Sequence, residues 1–287
     1  MSNTQPTYKR QRYLLSFIRQ LGNGVSATDL QKLVFLHTMR GDRAFYEFLP
    51  YKYGSYSFQL AEDVDILSRD GYLTVAGTGI KAVGEYVQDN LFDIEAERGN
   101  NLIRKAYREY PYYTINSEMI DRLYFNTEEA ARFSSEKQKY SQTEQSLFTI
   151  GYEGISIEAF INALIQNGVK LLCDVRRNPL SRKFGFSKSK LEHITRMVGI
   201  KYIHIPGLGI ESDKRSTLET TEDYEALFAD YAGTLPNLEP YLDWVYSLLC
   251  SNDRIALMCY EKDAAMCHRH VIRDYITDAH EVRSVDI

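Results

Sequence analysis

From residue 147 onward, short apolar runs alternate with amphipathic stretches, and this alternation leaves few folds open to the second half of the chain. Each run has the length and apolar character of a strand that is buried on both faces. The runs occupy residues 147–151, 169–175, 200–205 and 254–260. A mostly parallel sheet with flanking helices accommodates this order of elements. We therefore predict an α/β domain over residues 147–287, with a further short strand at 282–287.

The first half of the chain has the pattern of a small helical domain. Apolar residues recur at helical spacing over residues 8–21 and again after Ser26, with a glycine turn between the two stretches. A third helical stretch over residues 57–68 leads into an apolar run at 72–75. Two helices joined by a tight turn, followed by a helix and a hairpin, resemble winged-helix domains. We predict a mainly helical, winged-helix-like domain over residues 1–125 that binds nucleic acid or a protein partner.

The segment between these two halves differs from both in composition. Residues 126–146 are rich in Ser, Gln, Glu and Lys and contain almost no strongly apolar side chains. Such a composition is typical of linkers, or at most of a solvated helix. We therefore predict a polar linker over residues 126–146.

The charge of the chain restricts how it can bind nucleic acid. The formal net charge is −5, and neither half has an excess of basic residues. This balance argues against binding through overall charge and directs attention to local basic patches. Six basic residues and no acidic one fall within residues 175–191, and a second patch lies within the first 28 residues. Because such patches can neutralise phosphates locally, we predict double-stranded DNA as the partner.

The sequence also indicates a compartment. Only four of the 287 residues are cysteines, and the chain opens with a polar, uncharged segment. No apolar run approaches the roughly 18 residues that a membrane span requires, and no basic-then-apolar signal sequence is present. We therefore predict a reduced, cytoplasmic protein without membrane contact.

Polar residues follow each of the four apolar runs, where each predicted strand ends. Because the carboxyl ends of parallel strands meet at one edge of a sheet, we expect these side chains to share one ligand pocket. They are Tyr152 and Glu153 after the first run, Asp174 and Arg176 after the second, His204 at the end of the third, and Cys259 and Glu261 at the end of the fourth. Structural interpretations also stay open, namely an internal Asp174–Arg176 ion pair and a helix cap at Glu261.

Four further donors raise the question of a metal site: Cys259, Cys267, His268 and His270. Their spacing matches no usual zinc pattern. Cys267 and His268 are adjacent in a predicted helix, which directs their side chains to different sides. We therefore predict buried thiols, no bound metal and no cofactor.

The chemistry of the pocket is inferred from the side chains that remain. The sequence contains no Walker loop, no Gly-x-Ser-x-Gly and no His-Glu-x-x-His. It also has no convincing acidic triad for two-metal phosphodiester cleavage. Carboxylates, arginines and aromatics beside a basic loop suit cleavage of an N-glycosidic bond, whose transition state resembles an oxocarbenium ion. The base must leave the stack, so an aromatic ring has to hold it while basic residues bind the flanking phosphates.

Each candidate residue has a place in this chemistry. We assign Asp174 as the first catalytic carboxylate and Glu261 as the second. Contacts to the base or to a sugar on it are assigned to Tyr152, Glu153, Asn178 and Ser181. Contacts to phosphate or DNA are assigned to Arg176, Arg177, Arg182, Lys183, Lys188, His268 and Arg269.

Several short motifs occur one after another in the second half. They are Thr149-Ile150-Gly151-Tyr152, Asp174-Val175-Arg176, Gly199-Ile200-Lys201-Tyr202, Leu208-Gly209 and Ala256-Leu257-Met258-Cys259, then Glu261 and Cys267-His268-Arg269. This series resembles the bacterial domain-of-unknown-function family 488 across nearly all of residues 147–280. Family members usually have a second glycine after the Leu-Gly pair, where this chain has Ile210. The resemblance implies an α/β fold with a pocket.

The resemblance also implies a biological role. Domains of this kind, fused to nucleic-acid-binding modules, look like parts of bacterial defence systems, and some resemble DNA glycosylases that act on modified phage bases. We therefore expect a glycosylase that excises a modified base, for instance a glucosylated one, from phage DNA. Two alternatives stay open. One is a winged-helix regulator whose α/β domain senses a nucleotide or an anion, and the other is a nuclease or nucleotide hydrolase that depends on divalent metal.

Overall fold

The computed structural model describes residues 5–41, 45–77, 79–84, 92–211, 214, 218 and 220–287 of the chain. The chain divides into two units, Met1–Gln138 and Lys139–Ile287, each with its own hydrophobic core. Within the described ranges, no helix is both long and apolar enough to cross a membrane.

The first unit is built from helices and two antiparallel hairpins. The elements are α1 (Lys9–Leu21), α2 (Ala27–Met39), the hairpin of β1 (Leu49–Tyr51) and β2 (Gly54–Tyr56), α3 (Phe58–Arg69), the hairpin of β3 (Leu73–Ala76) and β4 (Gly79–Ala82), α4 (Gly99–Glu109) and α5 (Thr127–Gln138). The side chains of Ser26 and Ser57 accept hydrogen bonds from backbone N–H groups in the first turns of α2 and α3 and thereby fix where these helices begin. The helical character predicted for this half is confirmed, and its likeness to winged-helix domains stays a prediction.

A buried carboxylate connects α1 with α3. Asp63 is fully buried and accepts hydrogen bonds from Arg10 Nε at 2.6 Å, Gln11 Nε2 at 2.9 Å and the Tyr46 hydroxyl at 2.9 Å. These donors satisfy a charge that would otherwise be costly to bury. Arg10 belongs to the N-terminal basic patch, and its side chain therefore forms a structural ion pair within the first unit.

The segment predicted as a polar linker contains a helix. In α5, Phe133 is buried against Tyr107 and Phe125 of the first unit's core, with ring centroids 6.3 and 4.9 Å apart. One aromatic side chain thus anchors an otherwise polar helix to this core. The first strand of the second unit begins at Ser146.

The second unit is a parallel sheet flanked by helices. Its elements are β5 (Ser146–Gly151), α6 (Ile157–Gln166), β6 (Leu171–Asp174), α7 (Lys188–Met197), β7 (Lys201–His204), α8 (Thr221–Thr234), α9 (Glu239–Asn252), β8 (Arg254–Cys259), α10 (Arg269–His280) and β9 (Ser284–Asp286). The strand order is β7-β6-β8-β5-β9, and every pairing is parallel. The α/β fold predicted from the alternating pattern is confirmed.

The order of the strands places a reversal of chain direction at one edge of the sheet, which is where such sheets bind ligands. The chain runs outward from β5 to β6 and β7 and then returns, so that β8 lies between β5 and β6. Gly151 of β5 pairs with Cys259 of β8, and Asp174 of β6 pairs with Met258 of β8, so the three strands end almost level. Open α/β sheets bind ligands outside the carboxyl ends of strands at such a reversal of direction.

Candidate functional site

A pocket of about 400 Å³ lies at the carboxyl ends of β5, β6 and β8. Its wall consists of residues that end or follow these strands, together with one residue from the loop after β7 and one at the start of α10. We call it the strand-end pocket. It is lined by Tyr152, Arg176, Arg177, Asn178, Leu180, Ser181, Arg182, Ile210, Cys259, Tyr260, Glu261 and His268.

Asp174, assigned from the sequence as the first catalytic carboxylate, lies behind the wall of this pocket. It is fully buried, and Arg176 donates to both of its oxygens, from Nε to Oδ1 at 2.8 Å and from Nη2 to Oδ2 at 2.6 Å. The Tyr202 hydroxyl donates to Oδ2 at 2.7 Å. Burial, followed by the charge of Asp174, raises the pKa of Tyr202, so this hydroxyl keeps its proton. The geometry is that of the internal ion pair, and Asp174 positions Arg176.

Arg176 joins this ion pair to the pocket wall. Its Nη1 donates to the Tyr152 hydroxyl and to the backbone carbonyl of Phe186, both at 3.0 Å. The Tyr152 ring stacks on the Phe186 ring, with centroids 4.3 Å apart and planes 11° from parallel. One face of Tyr152, the residue assigned to stack on an extruded base, is therefore already occupied by a protein side chain.

The segment after β8 supplies a carboxylate and an aromatic ring to the pocket. Tyr260 and Glu261 both line it. The backbone of Glu261 crosses directly over Gly151, where a Cβ atom would overlap the Glu261 carbonyl oxygen. Arg269 Nη1 donates to this carbonyl at 2.6 Å and Nη2 to the carbonyl of Lys262 at 3.0 Å. Arg269, assigned to phosphate, is buried and instead holds the loop that carries Glu261.

The loop after β6 forms the outer rim. Arg177, Asn178, Ser181 and Arg182, all assigned to DNA, base or sugar contacts, line the pocket. Leu180 lines it as well and is 84% exposed. The rim loop thus presents one exposed apolar side chain on the same segment as Arg177 and Arg182.

The other assigned cations lie away from the pocket wall. Lys183 Nζ donates to the backbone carbonyl of Tyr152 at 2.7 Å, and burial lowers the pKa of this lysine. Lys188 Nζ lies 3.4 Å from Nδ1 of His204. Both side chains brace the loop and the third strand end within the second unit.

Glu153, assigned to a base or sugar contact, does not reach the strand-end pocket. Its Oε2 accepts a hydrogen bond from the backbone N–H of Lys262 at 3.1 Å. The side chain lines a separate surface depression together with Arg269 and Arg273. It therefore faces away from the groups that would hold a base.

Two thiols and an imidazole meet at the inner wall of the pocket. The Sγ atoms of Cys259 and Cys267 lie 3.9 and 3.7 Å from His268 Nδ1. The three donor atoms all lie within 4.8 Å of one another, and all three residues are buried. The expectation that Cys267 and His268 diverge on a helix is wrong, because α10 begins only at Arg269 and the pair lies in the turn before it. His270 turns away and contacts the carbonyl of Cys267 at 2.6 Å.

Sequence reasoning missed three features of this site. Tyr260 was overlooked although it follows β8 directly, where the sheet rule already pointed. Leu180 carried a signal as the apolar residue inside a run of cations. The convergence of Cys259 with Cys267 had no sequence signal of its own, because it depends on a turn of unpredicted geometry between β8 and α10.

The comparison with known families concerns the part of the chain that supplies most of this pocket's wall. Residues 156–276 match the family model described as Domain of unknown function DUF488. No curated protein matches the chain. No solved structure matches it either.

Proposed function

Residues 156–276 form a DUF488 domain, and we propose that its strand-end pocket is the active site of a DNA N-glycosylase that removes a modified base from phage DNA. One observation carries the proposal. A single pocket of about 400 Å³ combines a carboxylate, an aromatic ring and two rim arginines with an exposed leucine. Each of these groups has a use in excising a base from a duplex.

The size of the pocket suits an extruded base. Small-molecule sites usually have volumes of about 300–1,000 Å³, and the strand-end pocket falls in the lower part of this range. That volume provides room for a nucleobase with a substituent. The position at the reversal of strand direction is also the usual place for a ligand in an open α/β sheet.

Glu261 takes the catalytic role in this proposal. Cleavage of an N-glycosidic bond develops positive charge on the sugar, and a carboxylate beside it stabilises that charge or activates the attacking water. Asp174 is unsuited to this role because Arg176 and Tyr202 already engage its oxygens. Glu261 lines the pocket, and its backbone is fixed by Arg269 and by the close passage over Gly151.

Tyr260 is the aromatic group that holds the base. It is 46% exposed and packs edge-on against Tyr152, with ring centroids 5.2 Å apart and planes at 82°. Its exposed part can contact a base, whereas Tyr152 is almost entirely buried and stacked on Phe186. Stacking on an aromatic side chain contributes roughly 1–3 kcal/mol per base.

The rim loop accounts for how a base would leave the duplex. Proteins that unstack DNA often insert an apolar side chain between base steps. Leu180 is an exposed apolar side chain at the mouth of the pocket. Arg177 and Arg182 on the same loop would bind the phosphates on either side, which positions the DNA without reading its sequence.

The experiment is an excision assay with the full-length chain. Duplexes that carry glucosylated, hydroxymethylated or plain cytosine are incubated with the protein, and alkali-labile abasic sites are counted. We expect abasic sites in modified DNA and a loss of about 100-fold or more in Glu261→Gln. The matched control is Glu153→Gln, an exposed carboxylate outside the pocket, which should keep full activity. Intact strands with every substrate, or full activity in Glu261→Gln, would overturn the proposal.

The surface of the first unit favours a different partner. In a winged-helix protein bound to DNA, the helix before the hairpin enters the major groove. Here that helix is α3, and Asp65, Arg69 and Asp70 are exposed at its C-terminal end. Because phosphates repel these carboxylates, the first unit is better suited to a protein partner, and the contacts to DNA fall to the rim loop of the second unit.

A further inference from the structure

We infer that Cys259, Cys267 and His268 bind one thiophilic divalent cation, with Zn²⁺ as the first choice, at the inner wall of the strand-end pocket. Their donor atoms form a compact cluster of two sulfurs and one imidazole nitrogen. Thiolate and imidazole are the ligands that zinc prefers in proteins. This site is independent of the glycosylase proposal, since it depends only on the positions of these three side chains.

The distances between the donors fit a tetrahedral ion. Zinc binds sulfur at about 2.3 Å and imidazole nitrogen at about 2.0–2.1 Å, so tetrahedral geometry places nitrogen and sulfur about 3.6 Å apart. His268 Nδ1 lies 3.7 Å from the sulfur of Cys267 and 3.9 Å from that of Cys259. Both nitrogen–sulfur distances are therefore within a few tenths of an ångström of those that a tetrahedral zinc ion requires.

The imidazole is held in the tautomer that a metal requires. Nε2 of His268 lies 3.1 Å from the backbone carbonyl oxygen of Val175. A carbonyl oxygen only accepts hydrogen bonds, so Nε2 carries the proton and Nδ1 presents its lone pair to the two sulfurs. Histidine ligands of metals commonly donate their second ring N–H to a backbone carbonyl in this way. The ring of Tyr231 packs edge-on against the imidazole at 5.6 Å and fixes its plane.

The placement of the cluster indicates an open coordination position. All three residues are almost fully buried, yet Cys259 and His268 also line the strand-end pocket. Three protein ligands with a fourth position open to a pocket are the pattern of catalytic zinc, whereas structural zinc has four protein ligands. A ligand or a water molecule in the pocket would complete the shell of the ion, with Glu261 on the same wall.

The competing chemistry for two neighbouring thiols is a disulfide. Cys259 and Cys267 are close enough for this to be a real alternative. His268 Nδ1, within 3.9 Å of both sulfurs, has no role in a disulfide, and it has one in a metal site. The thiol state of freshly purified protein distinguishes the two arrangements.

The test uses the full-length chain without an affinity tag that binds metal. Zinc content is measured by mass spectrometry of the elements after purification without chelator. The reduced, metal-free chain is then titrated with Co²⁺. We expect about one zinc per chain, and with Co²⁺ a thiolate-to-cobalt charge-transfer band together with the visible bands of tetrahedral cobalt.

Matched variants separate the cluster from the other cysteines. Cys250→Ser removes an exposed thiol in α9 that is not part of the cluster, and it should keep the zinc content and the cobalt spectrum of the natural chain. Cys267→Ser and His268→Asn should weaken Co²⁺ binding by more than the roughly 10–100-fold typical of losing an outer-shell partner.

Three results would overturn the site. One is a zinc content below about a tenth of an ion per chain with no charge-transfer band in the reduced natural chain. Another is unchanged cobalt binding in Cys267→Ser. The third is that the chain purified under reducing conditions contains a Cys259–Cys267 disulfide in place of the two thiols. The first measurement needs no variant, so a variant that fails to fold does not affect it.

Discussion

Arg176 and Asp174 form a buried bidentate ion pair two residues apart, and the same Arg176 forms part of the wall of the strand-end pocket. Burial by itself lowers the pKa of Arg176, but the hydrogen bonds and the charge of Asp174 outweigh it and raise the pKa. The guanidinium is therefore always charged, and the buried Asp174 carboxylate neutralises that charge. Arg176 shapes the pocket more than it contributes positive charge to it.

Breaking this pair should be costly because one charge would be left buried. We expect Asp174→Asn to lower the free energy of unfolding of the second unit by about 3–5 kcal/mol. Urea unfolding followed by the fluorescence of Trp244, the single tryptophan, reports on this unit. The control is Glu211→Gln, which breaks the exposed Arg177–Glu211 pair at 3.2 Å and should cost no more than about 1 kcal/mol. Equal costs for the two variants would contradict this account of Asp174.

Gly151 is a position where only glycine leaves room for the candidate catalytic loop. A methyl group there would overlap the carbonyl of Glu261 and lie 3.1 Å from Lys262 Cα, both of which are backbone atoms. We expect Gly151→Ala to destabilise the second unit by about 1–3 kcal/mol and to displace Glu261, so that any excision activity falls as well.

Gly233 in α8 provides the opposite case for comparison. No atom lies within 4 Å of the position of its added methyl group. We expect Gly233→Ala to raise the free energy of unfolding by about 0.5–1 kcal/mol, as alanine does in an open helix. If Gly151→Ala unfolded at the same urea concentration as the natural chain, the close passage over Glu261 would not exist in solution.

The fold could be predicted from the sequence because burial on both faces of a parallel strand leaves an uninterrupted apolar run. The runs at 147–151 and 254–260 differ from β5 and β8 by one residue at one end. The polar segment 126–146 was harder to interpret, because its helix is anchored mainly by Phe133. A single buried aromatic does not create a periodic pattern.

The candidate site could be predicted only in part, because strand ends fix where a residue lies and not where its side chain points. Asp174 lies at the expected edge but turns to Arg176, an internal partner that the sequence allowed without requiring. The second difference between prediction and structure concerns Cys267 and His268, and it depends on where α10 begins. Placing the helix start a few residues too early puts Cys267 and His268 on diverging faces, whereas the turn before Arg269 brings their donor atoms together.

Leu180 provides a test of duplex opening that is separate from the chemistry. Because its side chain is 84% exposed, we expect Leu180→Ala to change the free energy of unfolding by less than about 0.5 kcal/mol. Excision from duplex DNA should fall about tenfold, since the gap in the stack is no longer filled. Excision from single-stranded DNA should be unchanged because no stacked partner has to be replaced. Equal losses on both substrates would indicate a contact to the base instead.

Arg182 should contribute to phosphate binding in a way that salt reveals. The logarithm of the DNA association constant falls linearly with the logarithm of salt concentration, by about 0.9 for each phosphate neutralised in B-DNA. We expect Arg182→Gln to reduce this slope by about that amount in a series of gel shifts. Arg69→Gln, at the exposed end of α3, should leave the slope unchanged. The reverse result would show that the first unit engages the duplex.

Lys32 gives the first unit a stability that depends on pH. Its ammonium is buried and donates to the carbonyl of Ser55 at 2.6 Å, and burial lowers its pKa to about 7. Between pH 7 and 10.5, the ordinary pKa of a lysine, the unfolded chain holds a proton that the folded chain lacks. The free energy of unfolding should therefore rise with pH across this window, by up to about 1.4 kcal/mol per pH unit, and the contribution should be flat below it.

The measurement of this slope uses Lys32→Met beside the natural chain. Urea unfolding is followed by circular dichroism, and the transition that Trp244 fluorescence does not report belongs to the first unit. The difference between the two chains should grow in favour of the natural one as pH rises from about 7 to 10, because only its lysine loses the cost of a buried charge. Lys9→Met, on the exposed face of α1, should retain the natural slope. Parallel pH profiles for the natural chain and Lys32→Met would mean that the lysine titrates in the folded unit as it does in water.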